Sequence, residues 1–190
     1  MDAQSFLRAI KLVYASFDLE LDLERGASDA TIAHLHSVIP DCEPLKPLVD
    51  LWRLADGNGE ICRPVFVRPD FSTGYDLLSV QVALNQREAM RRRAPRYEGY
   101  ADPSPRDRRI RPGWWQPGWL PFGAFYGTLL LILDLSPSEH GTPGQVIAFT
   151  HDPDEITFIA DSFTELLAAS AEEFEANGEE VLEGVLAEYD

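Results

Sequence analysis

No lysine or arginine follows Arg111 in this chain of 190 residues. All 16 basic residues precede that point, while the 32 acidic ones continue to the C-terminus, so the formal charge of −16 is concentrated in the second half. Such a field opposes nonspecific binding to nucleic acid or to an anionic membrane and favours a basic partner. Cysteine is nearly absent too. Cys42 and Cys62 form no CxxC pair, and the expectation is two reduced, partly buried thiols. The most apolar stretch, Thr128 to Leu133, is far shorter than the roughly 20 residues of a membrane helix. The first residues, MDAQSFLRAIKLVYASFDLE, have helical apolar spacing but no apolar run ending at a small-residue cleavage site. Neither a signal peptide nor a membrane span is expected, and a cytoplasmic location follows.

Catalytic signatures are equally scarce. There is no GxxxxGK[ST] and no GxGxxG after a strand. His34 and His36 are two apart on a predicted helix, so they point about 200° apart and cannot share a metal. His151 and Asp152 are adjacent, but Asp152-Pro153-Asp154 is also what a hairpin turn uses. Ser136 and Ser138 lie near His140 without the glycines that frame a nucleophile. No catalytic residue, metal ligand or cofactor is expected.

What is present suits a folded chain. Hydrophobic residues make up 45% and charged residues 25%, with 10 Phe, 6 Tyr and 4 Trp to fill a core, so one domain over residues 1–190 is expected. Phe6, Leu7, Ile10, Val13, Tyr14 and Phe17 recur at helical spacing in the first 25 residues. Ser28 is placed to cap a second helix carrying Ile32, Leu35 and Ile39, and a third starts near Pro44 and stops at Gly57-Asn58-Gly59. Arg63 to Arg68 reads as an edge strand because of Pro64. Ser79 caps a helix that runs into the arginine cluster. Trp119 to Phe122, Leu129 to Leu133, Gln145 to Phe149 and Thr157 to Ala160 are short apolar runs separated by turn residues, which predicts an antiparallel meander. Ser162-Phe163-Thr164-Glu165 is a capping box, and the helix it opens ends at Gly178 before a last amphipathic segment. The predicted fold class is α+β, an antiparallel β-meander flanked by N-terminal and C-terminal helices.

Between these halves, eight arginines fall from Arg91 to Arg111, interleaved with Pro95, Pro103, Pro105 and Pro112. Prolines fix φ and remove amide donors, so the stretch reads as an exposed loop, centred on residues 94–113, rather than a regular helix. A basic loop can bind phosphate. The preferred expectation is that it folds onto the chain's own acidic C-terminal part.

Trp119-Leu120-Pro121 with Gly123 and Gly127, an apolar strand ending in Asp134, Pro137, then Gly141-Thr142-Pro143-Gly144-Gln145-Val146 and Ala160-Asp161-Ser162-Phe163 together resemble the SUKH superfamily. That family includes the fungal cell-wall assembly regulator and many bacterial immunity proteins. The Gly26-Ala27-Ser28 helix start and the Leu51-Trp52 helix running to Gly57-Asn58-Gly59 extend the resemblance, whereas the first 25 residues and the Arg/Pro-rich loop have no counterpart in it. Physically, Trp119, Pro121, Gly141, Gly144, Ser162 and Phe163 read as structural: glycines for positive φ, prolines for loop entry, aromatics for core.

The resemblance implies a non-enzymatic protein-binding module, an immunity protein that neutralises a cognate nuclease-type or deaminase-type toxin. The alternative it implies is an intracellular regulatory or scaffold protein. A basic protein partner is expected from the charge, with Asp134, Glu139, Asp152, Asp154 and Glu155 as charged contacts and exposed Trp114 and Trp115 as anchors. The helix acids from Glu172 onward are expected to be a solvated face that contributes field rather than contact.

Overall fold

In the computed structural model, which describes residues 1–68, 73–127, 129–151 and 154–187, the chain runs α1 (Ala3–Ser16), β1 (Leu23–Arg25), α2 (Asp29–Val38), α3 (Lys46–Leu54), β2 (Ala55–Asn58), β3 (Phe66–Arg68) and β4 (Thr73–Leu77). It continues through α4 (Val80–Arg93), β5 (Trp119–Phe125), β6 (Leu129–Asp134), β7 (Gln145–Thr150), β8 (Glu155–Ala160), α5 (Phe163–Val181) and α6 (Glu183–Leu186). Strands β3 to β8 pair antiparallel in sequence order as one six-stranded sheet, and β1 pairs with β2 in a separate ribbon. The class is α+β.

Local chemistry places the ends of the helices. Ser28, Ser79 and Ser162 each accept a hydrogen bond from the amide three residues on, at Thr31, Val82 and Glu165, satisfying donors a helix start leaves unpaired. Glu165 reaches back to the amide of Asp161, one residue before the cap. The edge position predicted for Arg63 to Arg68 is observed, with β3 starting after Pro64. Several expectations need correction. Gly57 and Asn58 continue past α3 as β2 instead of forming a turn, because the Asn58 side chain donates to the Arg63 carbonyl (2.6 Å) and accepts from the Leu77 amide (2.8 Å). The break expected at Gly178 falls at Asn177, whose non-helical backbone (φ −129°, ψ 30°) divides α5 before a second helical stretch runs to Val181. Gly178 is also the close approach to α1, where a Cβ would lie 2.9 Å from Val13 Cγ1.

Pro121 lies inside β5 rather than at a loop entry. The strand bulges between Pro121 and Gly123, and β4 pairs only with Gly123 and Ala124, so the missing proline amide breaks no ladder bond to β4. Gly144 has the positive φ expected of it (+92°). Gly141 does not; it is small because a Cβ would sit 2.5 Å from the Arg109 carbonyl oxygen.

The strand side chains split by parity into two cores. Leu131, Leu133, Val146 and Ala148 face a cluster shared with Phe6, Ile10, Tyr14, Trp52, Leu166, Leu167 and Phe174 of the helices. Leu130, Ile132, Ile147 and Phe149 face a second cluster with Met90, Ile110, Trp114 and Trp115. An apolar sheet face must be covered, and here the cover is the arginine/proline-rich segment. That segment is therefore a lid, not a free loop, and Arg91, Arg92 and Arg93 are still helical, in the last turn of α4. Of the cysteines, both are free; Cys42 is half-buried and Cys62 is exposed, contrary to the expectation of two partly buried thiols.

Candidate functional site

Trp114 and Trp115 were expected at the surface and are buried, 4% and 8% exposed. Gly113, at φ +111°, turns the chain back so that both indoles close over the second sheet face. Trp114 stacks on Tyr97 (centroids 4.0 Å, planes 2° apart) and meets Phe149 edge-on. Trp115 packs edge-on against Trp119, which is itself fully buried. Neither tryptophan is presented to a partner.

The charged residues divide as well. Asp134 is fully buried, accepting from the Ser136 amide and from Gln145 Nε2, both at 2.9 Å. Burial pushes its carboxyl above the usual carboxylate range, opposed by those hydrogen bonds. Its work is to tie the β6–β7 turn, whose Gly144 amide returns to the Asp134 carbonyl at 2.8 Å. Asp154 has an 11% exposed side chain that accepts from Trp114 Nε1 at 2.6 Å and lies 2.5 Å from His151 Nδ1. Both are corrections: these strand ends bury their carboxylates because donors meet them there, from the β6–β7 turn and Gln145 at Asp134 and from the lid's Trp114 at Asp154. Glu155 is half-buried and accepts from Ser104 Oγ at 3.2 Å, and Glu139 is exposed beside His140. Asp152 lies outside the described residues. The expected contact patch thus leaves Glu139 and Glu155 accessible, without an aromatic anchor from the lid.

The lid's arginines anchor mainly on their own segment. Arg91 and Arg92 both bind Glu88, Arg106 binds Asp102 at 2.6 Å and the carbonyls of Arg111 and Gly113, and Arg109 binds Asp107 at 2.8 Å. The Arg109 hydrogen bond holds the Asp107 carboxyl below its ordinary range. Only Arg109 among these reaches a C-terminal acid, Asp161 at 3.4 Å, with its guanidinium 3.3 Å over the centre of the Phe158 ring. Arg111 contributes a hydrogen bond to the Pro137 carbonyl. Among the described residues the ionic part of the anchoring on the C-terminal acids therefore runs through Arg109, beside the hydrogen bonds that Trp114 and Ser104 donate to Asp154 and Glu155.

A broad groove, about 1010 Å³, lies between α1 and α5. Leu12, Val13, Phe17 and Phe174 give it an apolar floor, and Leu12 is 67% exposed. Glu172, Glu175, Glu179, Glu180 and Glu183 line it, and all five are exposed. These acids, expected as a solvated face, instead border an apolar surface; the cue in the sequence is the outward-facing Leu12 on the helix that packs beside them. Among the described residues no group of three or more His, Cys, Asp or Glu side chains is placed to hold a metal, and no helix is long and apolar enough to cross a membrane.

The sequence model of the SMI1 / KNR4 family (SUKH-1) matches residues 45–169. No curated protein matches the chain.

Proposed function

Since the chain belongs to the SMI1 / KNR4 family (SUKH-1), we propose that it is a non-enzymatic protein-binding module of the immunity type, which neutralises a basic toxin by covering its substrate groove. The observation that carries this reading is the α1/α5 groove, an apolar floor lined by five exposed glutamates. Nuclease and deaminase grooves are positive because they hold phosphate, so a surface of this charge complements them. The apolar floor adds what charge alone lacks, since interface cores are depleted of charge and depend on desolvated side chains.

Placement relative to the family framework supports the same reading. Residues 45–169 are the matched span, whereas the groove walls, Ala9 to Phe17 and Ala171 to Glu183, lie outside it. A shared scaffold would then carry a partner-specific surface on its own additions. The alternative regulatory role would use the same groove on a different basic partner.

Stopped-flow association with a candidate toxin, a basic nuclease or deaminase domain encoded beside this chain's gene, tests the proposal. The triple reversal Glu175→Lys, Glu179→Lys and Glu183→Lys slows association by about 10-fold or more at low salt and far less at high salt. Leu12→Ala mainly speeds dissociation. Association indifferent to both salt and the reversals refutes electrostatic capture through this groove.

A further inference from the structure

A second recess, about 300 Å³, opens on the lid side of the sheet and has the opposite electrostatic character. Five separate parts of the chain converge on it. Met90 and Arg93 come from α4, Arg96 and Tyr97 from the 3₁₀ turn Ala94–Tyr97 that follows, Trp114 from the lid, and Leu130, Phe149 and His151 from β6 and the end of β7. The floor is apolar, made by Met90, Trp114, Leu130 and Phe149, all buried. Arg93, Arg96 and His151 stand around the mouth, and half-buried Tyr97 forms the wall, its ring stacked on Trp114.

Two features set these cations apart. Among the described residues neither Arg93 nor Arg96 makes an ion pair, although Arg91 and Arg92 on the same helix turn are both held by Glu88. In a chain of charge −16, two guanidinium forks without a carboxylate partner beside an aromatic recess are out of keeping with their surroundings. His151 is also oriented. Its Nδ1 lies on Asp154, and Asp154 is fixed in turn by Trp114 Nε1, which leaves Nε2 as the nitrogen free to meet a ligand. An apolar hollow with a few convergent polar groups is the common form of a small-molecule site, and about 300 Å³ is at the small end of the range such sites occupy.

We propose that this cleft binds a nucleoside monophosphate, with the planar ring against the Tyr97 wall and the phosphate between Arg93, Arg96 and His151. Guanidinium forks match phosphate oxygens in geometry and charge, and aromatic side chains stack on bases of any identity. A nucleic-acid strand does not fit the same features. A polymer would extend its phosphates beyond two arginines, over a protein whose net charge repels them. The cleft shares no residue with the α1/α5 groove, so it stands independently of the toxin-binding reading.

Calorimetric titration with adenosine 5′-monophosphate, adenosine, inorganic phosphate and a single-stranded oligonucleotide tests the assignment, with tryptophan fluorescence as a second readout. The monophosphate should bind at least about 10-fold more tightly than adenosine or phosphate alone. Arg93→Gln with Arg96→Gln should bring it down to the adenosine level, whereas Arg91→Gln with Arg92→Gln, which removes as much charge outside the cleft, should change binding less than about twofold. His151→Gln should weaken the monophosphate and spare adenosine. The proposal is overturned by no saturable binding of any of the four common monophosphates up to about 5 mM, by adenosine binding as well as its monophosphate, or by equal losses in the two arginine pairs. Tighter binding of the oligonucleotide than of the monophosphate overturns it in favour of a strand-binding surface.

Discussion

Replacing Ser170 with alanine should cost more stability than any other single hydroxyl deletion in the helices, for a reason that lies in the edge strand rather than in the helix. β3 is the outermost strand of the sheet, so its outward-facing backbone groups have no strand to pair with. At Val67 both are met by one side chain on α5: Ser170 Oγ accepts from the Val67 amide at 3.1 Å and donates to the Val67 carbonyl at 3.0 Å. Both residues are fully buried, so no water replaces the hydroxyl once it is removed. Each buried group left unpaired costs about 1–3 kcal/mol, which puts Ser170→Ala at about 2–6 kcal/mol, less a few tenths for the better helix propensity of alanine. In a chain of this size about 3 kcal/mol lowers Tm by roughly 6–12 °C. Ser37→Ala is the matched control: its hydroxyl donates to the His34 carbonyl at 2.6 Å from an exposed position, and its loss should stay within about 0.5 kcal/mol. Urea unfolding gives the two differences, and amide exchange at Val67 should accelerate in the Ser170 variant before the amides of β6 do. A Ser170→Ala protein within about 0.5 kcal/mol of the parent would refute the reasoning.

Asp76 is half-buried, and desolvation raises its carboxyl pKa above the ordinary value of 3.8. The folded protein then holds that proton more tightly than the unfolded chain, so folding is penalised as pH rises from about 4 through the raised value. Asp76→Asn should match the parent at low pH and become the more stable of the two by pH 7 in urea unfolding; a difference independent of pH would contradict the assignment. Arg109→Gln should free the lid, because that side chain holds Asp107, Asp161 and the Phe158 ring at once. The expected cost is about 1 kcal/mol, with faster proteolytic cleavage between residues 98 and 113, while exposed Arg108→Gln leaves cleavage unchanged.

The meander from Trp119 to Ala160, the edge position of β3 and the three serine caps were all readable, because each is a local pattern: short apolar runs between turn residues, a proline, a hydroxyl before an apolar run. The ribbon of β1 and β2 was not. Three residues, Leu23 to Arg25, pair with a Gly-Asn segment that reads as a turn, and Asn58 becomes strand only through its distant partners Arg63 and Leu77. The burial of Trp114 and Trp115 was missed for a related reason. Glycine and proline around them argue for a loop, which is correct, but whether a loop is exposed depends on what lies beneath it. The cue was in β6 and β7, whose runs Leu129 to Leu133 and Val146 to Phe149 are apolar at odd and even positions alike and so require cover on both faces. The burial of Asp154 has the same cause, since Trp114 of the lid covers it, whereas Asp134 is enclosed by the β6–β7 turn and Gln145. The acid-lined groove needed the packing of α1 against α5, which no spacing within either helix discloses.

The division of the sheet into two cores gives the chain two mutational compartments. Odd and even residues of the same strand answer to different neighbours, so a lineage can rewrite Tyr97, Trp114 and the arginines over Phe149 while the Phe6, Phe66 and Phe163 packing on the reverse face stays as it was. Substitutions in the two compartments, which meet at the half-buried Leu78, should combine nearly additively away from that residue, and those within one should not. A protein pressed to follow a changing partner or ligand can thus vary one side of its sheet while inheriting the other.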